Sequence, residues 1–492
     1  MITAPKMGDL RGKKVFLVGA KGTGMTALAE IMAARGAILE GSDVADTFYT
    51  DAILASIGLR LSVGFDAGAL PADCDLVIHS AAYSRDTNPQ LLAALARGIP
   101  VLVYPEALGA LSRLQPSAGI AGVHGKTTTT ALAGSIARGI GLEATVIAGS
   151  AVSSFGGRST MIAGDRFLIA ETCEYRRHFL NFSPGRIILT SVEPDHQDYY
   201  PSYSDIAKAF EEYIGLLPHG GTLVWCADDE GADDVAHRAF AARPDLRSLP
   251  YGEKAHGPFR LLSYAATEGR AAFRLAGIPR DFELRIPGKH IALDAIAALA
   301  LCLDIAGEGG SAIFSDRIVL DGAAKAIADF AGSKRRSEIL GEAGGIVFLD
   351  DYGHHPTAIA RTIEGIRTFW PSRRLVVDFM SHTYSRTKAL LDEFAASLDG
   401  ADEVVVHGIY ASARERPDPE VSGEILADKI RARSATARHG GRVSFFEKPL
   451  GAKSILASSL AEGDLFLTMG AGDNWKLGEA LLAEKKAAEA IP

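Results

Sequence analysis

The chain has 492 residues, 47% of them hydrophobic and 23% charged, a globular composition that excludes wholesale disorder and fits roughly two to four domains of about 100–200 residues. A net charge of −9 excludes a nucleic-acid surface or a basic membrane-binding face as its main business. The four cysteines, Cys74, Cys173, Cys226 and Cys302, are scattered and form no CxxC pair, which speaks against a disulfide framework and fits a reduced, cytoplasmic compartment. The N-terminus lacks the apolar core of a leader. The most apolar stretch, 291–305, is interrupted by Asp294 and Asp304, so no membrane insertion is expected.

What recurs along the chain is an apolar strand, a glycine-containing turn and an Ala/Leu-rich helical pattern, the signature of βαβ units around parallel sheets. The first strand, 14–18, runs into Gly19-Ala20-Lys21-Gly22-Thr23-Gly24 and a helix ending near Gly36. Glycines there let backbone N–H groups approach a diphosphate at the helix N-terminus. Ser42-Asp43 closes a second strand, where a carboxylate would meet a ribose or a base. The spacing is GxxGxG rather than GxGxxG, so a tight strand–helix turn without a ligand is the competing reading. A strand at 76–80 then leads through a polar loop, 81–89, to a helix at 90–97.

Gln115-Pro116-Ser117 breaks the pattern before a strand at 118–123 and a second loop, Gly122-Val123-His124-Gly125-Lys126-Thr127-Thr128-Thr129-Thr130. A Walker A loop cradles phosphates with backbone N–H groups, sets a lysine on the β/γ-phosphates and offers a hydroxyl to Mg²⁺. Lys126 and Thr127 fill those roles. The loop is a variant, with Ile120 where the first glycine would fall and glycines at 119 and 122. The stretch 166–170 ends at Glu171, and a strand at 186–190 precedes Glu193-Pro194-Asp195-His196-Gln197-Asp198. If both strands lie in the P-loop's sheet, their ends emerge at its ligand edge, where Glu171 and His196 would complete a Mg²⁺ site. An imidazole is the less expected of these, since Mg²⁺ prefers oxygen.

A second break near Ala331-Gly332-Ser333 is followed by strands at 346–349, 375–379, 404–407 and 465–469. This region holds Lys334-Arg335-Arg336-Ser337-Glu338, Asp350-Asp351-Tyr352-Gly353-His354-His355-Pro356 and Ser381-His382-Thr383-Tyr384-Ser385-Arg386-Thr387. Such groups suit an anionic intermediate and an ammonium-bearing substrate. The expected fold is α/β in three consecutive domains: a Rossmann-like 1–115, a P-loop ATPase-like 116–331 and a Rossmann-like 332–492.

Taken in order, these motifs, with Glu171-Thr172-Cys173-Glu174-Tyr175-Arg176-Arg177-His178-Phe179-Leu180 and the late Gly470-Ala471-Gly472-Asp473 turn, resemble the Mur ligases of peptidoglycan synthesis, from about residue 14 to about residue 480. The resemblance implies a first domain that holds a UDP-sugar, with Gly22 and Gly24 near the diphosphate, Asp43 near the uridine, and Gly19, Thr23 and Ser80 beside them. It implies that Gly122, Gly125, Lys126, Thr127 and Thr128 bind ATP together with His290, Asp294 and Arg336, and that Thr127, Glu171 and His196 hold Mg²⁺. Asp351, Tyr352, His354 and His382 would receive the incoming amino acid. Lys126, Glu171, His196, His354 and Arg386 form the implied catalytic set, with the choice between Arg335 and Arg336 left open. The substrates implied are UDP-N-acetylmuramate and L-alanine, handled by a monomer or weak homodimer.

One segment departs from the family. A His-Asn…Asn run usually meets the adenine, whereas here the residues are His290-Ile291-Ala292-Leu293-Asp294. An amide donates and accepts at once, Ile291 does neither, and an ionised Asp294 only accepts. Weak discrimination of ATP from GTP is therefore expected, unless backbone groups replace the amides. Three rival readings remain. A sister ligase adds a preformed tripeptide to the same UDP-sugar, although the 19–25 and 171–180 runs look more like the alanine-adding branch. A Rossmann oxidoreductase would leave the Lys126 loop unexplained. A non-catalytic, nucleotide-responsive UDP-sugar-binding protein is opposed by the intact Lys126, Glu171 and His196.

Overall fold

The computed structural model describes residues 7, 9–197, 199–411 and 415–489; most of the N-terminal stretch and Asp198 of the acidic loop lie outside the described residues. The chain packs as two compact units: Met1–Leu262 with Arg274–Asp281 and Leu293–Ile327, and Ser263–Phe273 with Phe282–Ala292 and Ala328–Pro492.

The first unit contains two sheets. Strands β1 (Lys14–Val18), β2 (Ile38–Asp43), β3 (Arg60–Val63), β4 (Leu76–His79) and β5 (Val101–Val103) form a parallel sheet in the order β3-β2-β1-β4-β5. Because β1 lies between β2 and β4, the chain winds away in opposite directions from its carboxyl end, which opens a crevice there. Phe16, Val18 and Val77 pack with Leu91 and Ala94 in the sheet's core.

The second sheet comprises β6 (Ser117–Ala121), β7 (Ala144–Val152), β8 (Arg158–Ile162), β9 (Phe167–Glu171), β10 (Arg186–Leu189), β11 (Thr222–Cys226) and β12 (Arg247–Tyr251), in the order β12-β11-β10-β6-β9-β7-β8. All its pairings are parallel except β7 with β8. Every residue of β6 is buried, as expected of a central parallel strand covered on both faces. The strand ends two residues earlier than the sequence pattern implies. Gly122 turns the chain at φ +135°, so Gly122 and Val123 belong to the loop. β9 and β10 flank β6 on either side, with Ile120 opposite Glu171 and Ala121 opposite Leu189. The sheet therefore delivers Glu171 and Thr190 to the two sides of the P-loop. Within this unit helix Thr23–Ala34 packs on β7 and β8, and an ion pair from buried Glu30 to Arg158 ties the two sheets together.

Strands β13 (Leu261–Thr267), β14 (Arg270–Leu275) and β15 (Asp281–Leu284) form a small separate sheet. The sheet of the second unit consists of β16 (Glu338–Ala343), β17 (Ile346–Asp351), β18 (Arg374–Met380), β19 (Glu403–His407), β20 (Val443–Phe446) and β21 (Asp464–Gly470), in the order β16-β17-β21-β18-β19-β20. Only the β16 edge is antiparallel. Phe348, Val376, Val405 and Phe466 form its core with Leu477 and Leu481 of helix Trp475–Glu489. Among the described residues no helix is long and apolar enough to cross a membrane.

Candidate active site

The first glycine loop is shaped from within. Gly19 adopts φ +77°, donates its N–H to the Ser42 carbonyl at 2.9 Å, and has no room for a Cβ, which would come within 2.5 Å of the Tyr83 ring. Gly24 lies in the first turn of the helix, where a Cβ would stand 2.7 Å from the Tyr104 ring. Gly22 is the N-cap, where a Cβ would make only ordinary contact, 3.7 Å from the Gly19 carbonyl. Thr23 accepts from the Tyr49 hydroxyl at 3.0 Å, and Ser80 closes β4 by donating its N–H to the Val18 carbonyl at 2.9 Å. Asp43, expected near a ribose or base, already has a role in the loop. Its buried carboxylate accepts from the Lys21 N–H at 2.7 Å and the Val44 N–H at 2.8 Å, so it pins the loop.

The P-loop is held by the end of β10. The Val123 N–H donates to the Ser191 carbonyl at 3.0 Å and the His124 N–H to Ser191 Oγ at 2.9 Å, while Thr190 Oγ1 donates to the His124 carbonyl at 2.5 Å. Gly125 caps helix Lys126–Gly139 in the left-handed conformation, φ +80°, which L side chains avoid. The N–H groups of the helix's first turn, from Lys126 through the buried Thr128, are thereby presented at its N-terminus. Thr127 Oγ1 donates to Glu171 Oε2 at 2.8 Å. Gly149 makes room for that carboxylate, since a Cβ there would lie 2.4 Å from it.

Lys126 folds back on its own loop, donating to the Gly122 carbonyl at 2.5 Å and the Val123 carbonyl at 3.3 Å, and pairs with Glu174 at 2.9 Å. Glu174 is only 2% exposed and lies 3.4 Å from His196 Nε2. Burial works to raise its carboxyl, yet Lys126 and His196 hold it below the ordinary carboxylate range. Sequence reasoning gave this residue no role, although it stands three residues after Glu171, beyond the end of β9. His196 is thus linked through Glu174 to the lysine, and its ring packs on Tyr175 at 4.7 Å. Arg176, Arg177 and His196 all have positive φ, 51°, 58° and 53°, so the backbone is strained just after Glu174 and at the histidine that faces it.

Asp294 is buried, and its carboxylate is 2.5 Å from where a Cβ on Gly125 would lie. His290 lies over Gly288, whose φ of +121° leaves no space for a side chain beneath the ring. Ile291 is 2% exposed and belongs to the apolar core, so it presents no edge to a base.

The remaining candidates are in the second unit. Arg335 is built into the sheet edge, donating to Asp350 at 2.9 Å and to the Gly470 and Gly472 carbonyls at 2.5 and 3.0 Å. Both arginines lie over the Tyr352 ring, each 5.2 Å from its centroid, but Arg336 lacks the carbonyl contacts that fix Arg335. Burial pushes Asp350 up to about 6 against the pull of Arg335. Asp351 is also raised by burial. It accepts from the Ser337 and Gly353 N–H groups, both at 2.7 Å, and so shapes the loop that carries Tyr352 and His354. The rings of His354 and His382 meet edge to face at 5.9 Å. Burial, then Arg386, lowers the His382 imidazole, and its Nδ1 is buried with no hydrogen-bond partner among the described residues. Arg386 lies in the short helix Tyr384–Ala389, whose first N–H groups are capped by Glu415 at 2.5 and 2.9 Å.

The first unit also holds a cavity of about 220 Å³, whose walls include Gly24, Tyr104, Leu108, Glu171, His178 and Phe182. Sequence reasoning did not anticipate it, because its lining comes from both sheets' elements.

The chain matches three family descriptions in succession: Mur ligase family, catalytic domain, over 14–115; Mur ligase middle domain over 120–302; and Mur ligase, glutamate ligase domain, over 335–472. It is 51% identical over 479 residues to the UDP-N-acetylmuramate–L-alanine ligase of Treponema pallidum strain Nichols, covering 97% of this chain and 98% of that one. It is 37% identical to the enzyme of the same name from Desulfitobacterium hafniense, covering 95% and 99%. Among solved structures it is similar in fold to a UDP-N-acetylmuramate-alanine ligase from Thermotoga maritima, with TM-score 0.77 and 24% identity over 96% of this chain and 99% of that one. A murein peptide ligase from Psychrobacter arcticus follows with TM-score 0.64 and 20% identity over 96% and 98%.

Proposed function

The chain belongs to the Mur ligase family, and we propose that it joins L-alanine to the lactyl carboxylate of UDP-N-acetylmuramate with ATP as the driving substrate, in the cytoplasmic synthesis of peptidoglycan precursors. The observation that carries this reading is the 51% identity, over nearly the whole chain, to a protein named for that activity. The geometry of the P-loop supports it.

A carboxylate is a poor electrophile at neutral pH. Transfer of the γ-phosphoryl group to it gives an acyl phosphate and ADP. The amine of alanine then attacks the acyl carbon, phosphate leaves from the tetrahedral species, and the amine's proton passes to solvent or a nearby base. The reaction needs positioning and charge neutralisation rather than a covalent enzyme nucleophile.

In this reading the N–H groups of Gly125 to Thr128 cradle the phosphates, and Lys126 moves from its loop carbonyls onto them. Thr127 Oγ1 and Glu171 are hard oxygen donors already 2.8 Å apart, so they fit Mg²⁺, with His196 as the further candidate behind Glu174. When bound, the cation neutralises charge that builds up on the transferring phosphoryl group. Gly19, Gly22, Thr23, Gly24 and Ser80 receive the nucleotide-sugar's diphosphate at the switch point of the first sheet, with Asp43 holding their loop in shape. The groups suited to the amino acid, Tyr352, His354, His382 and Arg386, are those of the second unit, where Asp351 braces the loop. Arg336, unlike Arg335, is the arginine suited to the nucleotide.

Phosphate release from ATP, measured with UDP-N-acetylmuramate and a panel of amino acids and tripeptide, tests the reading. Release should require both the UDP-sugar and L-alanine. Turnover with the tripeptide but not with alanine would overturn it.

A further inference from the structure

The cavity beside Glu171 contains two polar groups that nothing in the chain uses. Among the described residues neither the Tyr104 hydroxyl nor the His178 imidazole has a hydrogen-bond partner, and both line the cavity. Both residues are half-buried and the cavity is open to solvent, so water completes these groups until a ligand with matching polar atoms displaces it.

Both groups are presented as donors. Burial, then Glu171 and Cys173, keep the Tyr104 phenol protonated far above its ordinary value. Burial, then Arg176, lowers His178, which leaves it a neutral imidazole with one N–H. The direction of the Tyr104 hydroxyl is fixed by packing, because its ring is seated against Gly24, where a Cβ would lie 2.7 Å away. Leu108, Phe179 and Phe182 supply an apolar wall. At about 220 Å³ the space falls below the ~300–1,000 Å³ of a site for a whole drug-sized ligand, so it suits one arm of a substrate. Glu171 joins this cavity to the P-loop through its bond with Thr127.

An acceptor-rich arm with a small apolar substituent fits these walls, and the lactyl ether of the UDP-sugar, a carboxylate beside a methyl group, is such an arm. We propose that Tyr104 and His178 form a specificity-determining pair that grips the lactyl carboxylate and presents it toward the phosphates on the P-loop. This rests on the alanine-ligase reading above. It assigns discrimination among UDP-sugars to the cavity, not to the glycine loop that carries the diphosphate.

The test is calorimetric titration, without ATP, of UDP-N-acetylmuramate and of UDP-N-acetylglucosamine, which lacks the lactyl arm. The proteins are wild type, Tyr104→Phe and His178→Asn, each checked for an unchanged melting temperature. A hydrogen bond to a charged group is strong enough that Tyr104→Phe should weaken UDP-N-acetylmuramate about tenfold or more. UDP-N-acetylglucosamine should change less than twofold, and His178→Asn should act in the same direction. Equal weakening of both ligands, or of neither, would overturn the assignment. Should wild type release no phosphate with UDP-N-acetylmuramate and alanine, the alanine-ligase reading itself falls. Should it turn over while Tyr104→Phe keeps full discrimination, only the role of the pair falls.

Discussion

Glu174→Gln separates two roles of one buried carboxylate. In the ligand-free chain Glu174 competes with any phosphate for Lys126, which it holds at 2.9 Å, and it also positions His196 at 3.4 Å. Glutamine keeps the shape and one acceptor oxygen but removes the charge. Breaking a buried ion pair typically costs about 3–5 kcal/mol. Here Lys126 keeps the Gly122 and Val123 carbonyls, and the amide oxygen still accepts, so the loss should be nearer ~2 kcal/mol, the scale of a hydrogen bond to a charged group. A melting point lower by roughly 3 °C follows for a unit of this size. Affinity for ATP should move the other way. The phosphates no longer have to displace a carboxylate from Lys126, and one negative charge beside them is gone. A gain of about 1 kcal/mol, or roughly fivefold in Kd, is expected. Turnover should still fall about tenfold or more, because Lys126 and His196 lose their common brace. Calorimetry with ATP, a melting curve and steady-state phosphate release measure the three terms. A weaker ATP Kd, or an unchanged kcat, would refute the reasoning.

Glu171→Ala removes the partner of Thr127 and should lower kcat by about 10²–10³-fold, with affinity for UDP-N-acetylglucosamine held within twofold in a binding titration. Ile291→Asn places an amide in an apolar site that is 2% exposed, so the melting curve should show a loss of about 2–4 kcal/mol, with no gain in the ATP-over-GTP ratio of kcat/KM. His407 is fully buried, and both its ring nitrogens face acceptors, Asp378 at 2.6 Å and the Phe446 carbonyl at 3.0 Å. Burial works against the charged ring, but Asp378 wins and the imidazole lies above its ordinary value. The stability it contributes is therefore full below the ordinary imidazole range, about pH 6.5, and is lost as pH rises through the raised folded value. The melting point should fall across that interval in wild type and fall less in His407→Gln.

Much of this arrangement is legible in the sequence wherever a local rule dictates it. The strand–glycine–helix runs at 14–36 and 118–139 dictate both loops, and apolar runs at 166–170 and 186–190 read as buried parallel strands. Their common sheet places Glu171 beside Thr127, as the spacing requires. What escapes is whatever depends on partners distant in sequence. Glu174 is indistinguishable from a loop carboxylate until Lys126, 48 residues away, is seen against it. Asp43 matches the position of a ribose-binding acid, and its bonds to the Lys21 and Val44 N–H groups, which shape the loop, could not be read there. Ile291 sits where an amide was expected and is instead packed into the core, which no hydrogen-bond argument at that position could anticipate. Adjacent Arg335 and Arg336 look equivalent in the sequence, and Asp350 with the carbonyls of Gly470 and Gly472 distinguishes them.

The most direct measurement follows oxygen. UDP-N-acetylmuramate labelled with oxygen-18 in its lactyl carboxylate is incubated with ATP, Mg²⁺ and L-alanine, and the released phosphate is analysed by mass spectrometry. Activation through an acyl phosphate predicts that one labelled oxygen leaves with each phosphate formed, and that the label transfer depends on alanine. Unlabelled phosphate, or phosphate released at the same rate without the UDP-sugar, would contradict the account.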